Sequence, residues 1–266
     1  MIRVHDTITK LDSQDAGSVV IAASHGGVYC GYCAAKARLL GVIFSDAGVG
    51  LERAGIGSLD YLNVLGIPAA TVDYRTARIG DGNDLVTRGR ISFCNTVARG
   101  LGCAPGDTTR ACAERMQTAE PSTAAVPAYE EARTLLVERP RQPKVWGLDS
   151  NSLVEDGDTG TIVVTGSHGG ILGGRPESAL RIDAIAAVYN DAGVGIDDAG
   201  ISRLPALESR GIAAVTVDAQ SARIGDARST WESGTISHLN RIAQAYGGQA
   251  GMTIPAFVEW VFRSIA

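Results

Sequence analysis

The chain has 266 residues, with 29 acidic against 24 basic side chains and a net charge of −5. No basic cluster interrupts that balance, which excludes a general nucleic-acid binder. Hydrophobic residues make up 45% and charged residues 20%, the balance of a globular protein with one large core or two small ones, and no apolar run is long enough to span a bilayer.

The first residues turn polar at once, without the apolar stretch of a secretory leader. The cysteines, Cys30, Cys33, Cys94, Cys103 and Cys112, are odd in number and stop at position 112. Reduced thiols and a cytoplasmic location are the expectation from that usage.

A leading strand is expected near 3–9. Three short, unbroken apolar runs follow, at 19–23, 42–44 and 69–72. Runs of this kind suit strands buried on both faces of a parallel sheet. Helices are expected over 33–40, over 58–65 with Gly66 as its stop, and over 91–98. Residues 110–142 form a connection, with a loop at 120–127 and a helix over 129–138.

The same grammar then returns. A strand is expected near 145–153, and apolar runs lie at 162–164, 186–189 and 213–217. Helices are expected over 202–209, stopped by Gly211, and over 236–245. The last helix, 253–266, has Thr253 as cap and Pro255 in its first turn. Phe257, Trp260, Val261 and Ile265 are expected on one face of it, packed on the other half or on another subunit.

The motifs after the strands repeat as well. Ser24-His25-Gly26-Gly27 recurs as Ser167-His168-Gly169-Gly170, and Asp46-Ala-Gly-Val-Gly50 as Asp191-Ala-Gly-Val-Gly195. Thr71-Val-Asp73 recurs as Thr216-Val-Asp218, and Ala77-Arg-Ile-Gly-Asp81 as Ala222-Arg-Ile-Gly-Asp226. A repeat this long, present twice, is not a solenoid. It points to an internally duplicated α/β fold: two Rossmann-like parallel-sheet halves related by a pseudo-twofold axis. The expected division is 1–109, a connection at 110–143, and 144–266.

Open parallel sheets bind ligands beyond the carboxyl ends of their strands, where each of these motifs falls. The candidate catalytic residues are therefore His168, Ser167, His25, Ser24, Asp46 and Asp191. Gly26, Gly27, Gly169 and Gly170 would offer backbone N–H groups to an anion or oxyanion. Arg78 and Arg223, with Asp81 and Asp226, would grip a substrate carboxylate. Each motif also has a structural reading. The glycines could simply permit a tight turn, the Asp residues could hold loop amides, and each Arg could form a fork with its Asp. Asn95 and Asn240 are expected inside helices.

The copies differ where Cys30-Gly-Tyr-Cys33 faces Leu172-Gly-Gly-Arg175, and where Phe93 faces His238. One C-x-x-C pair is compatible with redox or metal work, or with two small buried thiols. Neither a phosphate-binding G-x-x-x-x-G-K-[ST] loop nor a G-x-G-x-x-G turn follows the first strand of either half, and H-x-H and H-E-x-x-H patterns are absent. No cofactor and no metal are assigned. The expectation is a cytoplasmic enzyme acting on a small anionic or amide-containing metabolite by acid–base or hydrolytic chemistry. One pocket shared by both halves is favoured, with His168 as base because Arg175 and Glu177 are near it in sequence. A lyase or isomerase would use the same groups, with a hydrolase favoured over both. A non-catalytic small-anion binder and a structural subunit are the other classes. A homo-oligomer is expected, without nucleic-acid or membrane partners.

Overall fold

The computed structural model describes residues 1–265. Its first sheet contains β1 (Ile2–His5), β2 (Val19–His25), β3 (Gly41–Ser45), β4 (Ala69–Val72) and β5 (Ile91–Cys94), side by side in chain order. β1 to β4 are parallel and β5 runs antiparallel to β4. The second sheet contains β6 (Arg133–Val137), β7 (Val145–Leu148), β8 (Ile162–His168), β9 (Ala186–Asn190), β10 (Ala213–Val217) and β11 (Ile236–Leu239), again in chain order. Here β7 to β10 are parallel and both edge strands are antiparallel. The fold is mixed α/β with two parallel-dominant sheets. Among the described residues no helix is long and apolar enough to cross a membrane.

Alternate residues of β2 point to opposite faces. Val20 and Ala22 pack with Val42 and Phe44 under α1 (Val28–Lys36) and α2 (Ser58–Val64). Val19, Ile21 and Ala23 pack with Ile43 under α3 (Gly82–Thr87) and α5 (Thr109–Met116). Each Val or Ile so buried contributes about 1.5–3 kcal/mol, and two covered faces explain why the runs are unbroken. The second sheet is covered on one face by α6 (Arg203–Glu208) and on the other by α9 (Ile254–Ile265).

Several sequence expectations fail at sheet edges. Residues 91–98 and 236–245 are not single helices. Each splits into an edge strand, β5 or β11, and a short helix, α4 (Thr96–Gly100) or α8 (Arg241–Ala245). Asn95 and Asn240 stand at the break, outside the helices. Asn95 Oδ1 accepts from Ala98 N at 2.9 Å and Ala69 N at 3.1 Å, and Asn240 Oδ1 accepts from Ala243 N at 3.0 Å and Ala214 N at 3.1 Å. One amide side chain thus caps a helix and closes a strand end. Asn240→Ala is expected to cost about 2 kcal/mol in a urea titration; a loss below about 0.5 kcal/mol would show that water replaces the cap.

The helix expected over 129–138 is strand β6, because pairing with the exposed edge of β7 overrides its helix-forming residues. The helix expected over 33–40 starts earlier, at Val28 after Gly27, and ends at Lys36. On α9 the buried stripe is Ile254, Phe257, Val258, Val261 and Phe262, at helical spacing, and it packs on the second sheet of its own half. Trp260 and Ile265 are exposed instead.

The strand order never reverses within a sheet. Neither sheet has the two-way winding of a Rossmann fold, nor the crevice that forms at such a switch point. The carboxyl-end loops of the two sheets meet each other instead. Leu51 N donates to Ala219 O at 2.8 Å and Ile196 N donates to Tyr74 O at 3.0 Å. Ala47, Ile79, Ala192, Ala199 and Ile224 form a small apolar cluster at this junction.

Candidate active site

The Asp-Ala-Gly-Val-Gly loops build the junction. Asp46 Oδ1 accepts from Gly48 N at 3.2 Å and Tyr74 N at 3.0 Å, and Asp191 Oδ1 accepts from Gly193 N at 2.9 Å and Ala219 N at 3.0 Å. These carboxylates clamp two successive loops of their own half. Burial pushes Asp46 up to about 6, against the lowering effect of its hydrogen bonds. The loops they clamp are strained: Ala47, Val49, Ala192 and Val194 all have positive φ. Neither Asp lines the cleft that holds His25 and His168.

The arginines also serve the junction. Arg78 meets Asp81 at 3.2 Å and Asp84 at 3.4 Å, and Arg223 meets Asp226 at 2.9 Å and Glu52, across the junction, at 3.1 Å. Asp81 and Asp226 in turn cap α3 and α7 (Ala227–Glu232). Arg78 and Asp81 are outside the cleft that holds His25 and His168, whereas Arg223 and Asp226 border a recess of about 280 Å³ that touches His25.

The expected anion hole at the glycines does not form. Gly26 N donates to Ser45 O at 2.9 Å and Gly169 N to Asn190 O at 2.7 Å. Gly27 N and Gly170 N donate to Nδ1 of His25 and His168, each at 3.1 Å. All four amides are engaged inside the protein. Close approach explains the glycine at 26, because a Cβ there would lie 2.7 Å from Gly55 O. Position 169 is crowded in the same way by Gly200 O.

His25 and His168, from different sheets, line one cleft of about 360 Å³. Each ring also lies against a glycine of the opposite half, His25 near Gly225 and His168 near Gly80. Since Nδ1 of each accepts a backbone N–H, the neutral ring carries its proton on Nε2. Neither Nε2 has a partner among the described residues, nor is either a sealed, unpaired atom. Burial lowers His25 to about 4. Burial, then the charges of Arg203 and His25, lower His168 well below its ordinary value. Both rings are thus neutral N–H donors at neutral pH.

Their serine neighbours face a different task. Ser24 Oγ accepts from Ile8 N at 2.9 Å and Ser167 Oγ from Asn151 N at 2.8 Å. Neither is hydrogen-bonded to a histidine among the described residues, so no Ser–His pair is assembled. Cys30 Sγ lies 3.9 Å from His25 Nδ1. Burial raises both thiols of the C-x-x-C pair, Cys33 to about 11, so neither is an activated thiolate.

Four hydroxyls enter the same cleft as two close pairs, Thr7 with Thr9 at 3.0 Å and Ser150 with Ser152 at 2.8 Å. Glu131, Tyr29 and Arg203 line it as well. Sequence reasoning did not find these residues. Glu131 is in the connection, has no counterpart in the repeat, and carries no motif. Burial raises it to about 7, although the Tyr29 hydroxyl beside it acts in the lowering sense. Arg203 stands opposite Ser58 when the repeated motifs are aligned. Arg175, expected near His168, pairs with Asp6 outside the cleft; Glu177 does line it. Among the described residues no group of three or more His, Cys, Asp or Glu is placed to hold a metal ion.

The neutral histidines make stability depend on pH. An unfolded His25 takes a proton near 6.5, whereas the folded one does so only near 4. The contribution of His25 is complete above pH 6.5 and is lost as pH falls towards 4, and that of His168 is lost in the same direction, because the unfolded chain binds the extra protons. The raised carboxyls, Asp46 and Glu131, act in the opposite sense and are common to every variant compared. Melting temperature should therefore fall more steeply with acid in the wild type than in a His25→Gln/His168→Gln double variant. Equal slopes would place a protonated imidazole in the folded cleft.

No protein-family model, curated protein or solved structure matches this chain.

Proposed function

We propose that the protein is an enzyme that performs acid–base chemistry on a small metabolite bearing a carbonyl or carboxylate, in one cleft shared by two duplicated halves around a pseudo-twofold axis. The observation that carries this reading is the pair of neutral imidazoles, one from each sheet, with Nδ1 of both already occupied. Free Nε2–H groups in a confined site stabilise negative charge developing on an oxygen, as an enolate or a tetrahedral oxyanion. The histidines then act as electrophiles, and the base is Glu131. A carboxyl near 7 both accepts and returns a proton at neutral pH.

The serines do not support an acyl-enzyme, which needs a base within hydrogen-bond reach of the nucleophile. Isomerase or lyase chemistry, or hydrolysis by a water activated at Glu131, fits the groups better. Duplication is supported by the repeated motifs and by the paired contacts Leu51–Ala219 and Ile196–Tyr74.

The test is a panel of small keto acids, hydroxy acids and amides incubated with the protein in deuterium oxide and followed by proton NMR. The reading expects deuterium entering a carbon position, or conversion, for at least one member, and its loss in Glu131→Gln. Binding of panel members without exchange or conversion would instead identify a small-anion binding protein.

A further inference from the structure

We infer that Arg203 forms a carboxylate-binding subsite, so that the substrate is held by an acid group at Arg203 and presents its reacting carbon to the histidines and Glu131. The subsite stands on Arg203 alone; the orientation rests on the acid–base reading above.

Arg203 is only 2% exposed, yet it has no carboxylate partner among the described residues. Its Nε donates to Gly170 O at 3.0 Å, and Nη1 donates to Ser178 O at 3.0 Å and to Ala179 O. Its face covers the Tyr189 ring at 4.9 Å. Nη2 has no partner among the described residues, and the residue lines the cleft. Other inward arginines are neutralised: Arg133 meets Asp158 through two bonds of 2.7 and 3.0 Å. A guanidinium removed from water is costly unless an anion joins it. Glu177, the acid on the same side, is exposed and makes no ion pair with it. Carbonyl oxygens fix the fork in place, and the missing charge is left for a ligand.

The first half has no such cation. Ser58 takes that position beneath α1, with no hydrogen-bond partner for its Oγ. Lys10 on that side is exposed. Arg203 is thus a buried cation of the cleft that Glu131 and Tyr29 also line. Arg203 leaves Nη2 unpartnered among the described residues and brings one positive charge, which the single negative charge of a carboxylate balances and the roughly −1.5 to −2 of a phosphoryl group exceeds.

Isothermal titration with malonate, succinate, malonamide and inorganic phosphate tests this. At least one dicarboxylate should bind at least ten-fold more tightly than malonamide or phosphate. Arg203→Gln should weaken that binding at least ten-fold, and Arg139→Gln, at an exposed pair with Glu259 outside the cleft, should leave it unchanged. If Arg203→Gln does not fold, Arg203→Lys replaces it, again with weaker binding expected because an ammonium cannot hold the three carbonyls and the ligand together. In the wild type, the dicarboxylate should move the Nε2 resonance of His168 more than that of His25. Equal affinity for malonamide, unchanged affinity in the Arg203 variant, or tighter binding of phosphate overturns the subsite. Dicarboxylate binding through Arg203 without deuterium exchange in any panel member overturns the enzyme reading and leaves the subsite intact.

Discussion

Alanine at His25 or at His168 is expected to lower solvent-deuterium exchange by about 100-fold or more for each single change, the scale seen when one donor to an oxyanion is removed. The expectation follows from placement. Two separate pockets would act additively, and either substitution would leave about half the activity. Here both imidazoles line one cleft, and each also packs against a glycine of the opposite half. Members of one catalytic unit are non-additive, so the double variant should fall well short of the product of the two losses. The fold should survive, because the substitution releases one backbone N–H, Gly27 or Gly170, at a cost of about 1 kcal/mol if water takes the acceptor's place. Circular dichroism checks that point. Retention of half the rate in either single variant would rule out the shared cleft.

Gly200→Ala should be the most damaging small substitution near the site, costing about 3 kcal/mol or more. A Cβ there would fall inside the van der Waals shell of Asp191 O and 2.9 Å from Val194 O. Both neighbours are backbone and cannot swing away. The loop they belong to packs on the first half through Gly193 against Gly48, so relief would also loosen the cleft. Gly55 repeats the arrangement, with Asp46 O and Val49 O as its neighbours. Gly211→Ala is the control. Gly211 has φ +72 with open space around it, so only left-handed strain of about 1–2 kcal/mol is expected. Urea titrations of the two variants decide the matter. A milder effect at 200 than at 211 would mean that the loop shifts freely.

The central strands of both sheets were legible from local pattern alone. An unbroken apolar run between turn residues has few other uses, and the runs at 19–23, 42–44, 69–72, 162–164, 186–189 and 213–217 all fall in strands. The ends of those runs also placed His25 and His168 at the carboxyl ends of β2 and β8, where the structure has them. Of the edge strands, β1 was legible and the other three were not. Ile91–Cys94 and Ile236–Leu239 become strands through pairing with β4 and β10, and their own residues fit a helix as well. Arg133–Val137 is the same case, decided by the open edge of β7.

Polar roles were decided by tertiary structure more completely still. Ser24, Asp46, Gly26 and Arg78 carry chemistry as residue types, but each finds its hydrogen-bonding or ionic partner inside the protein. Glu131 and Arg203 are ordinary surface residue types by sequence. Burial raises the carboxyl of one to about 7, and the other is enclosed among carbonyls without an anion. Periodicity and turn chemistry are properties of neighbours in the chain. The protonation state of a group and its remaining hydrogen-bonding capacity depend on which distant atoms surround it, and these are assembled only when two separate sheets meet.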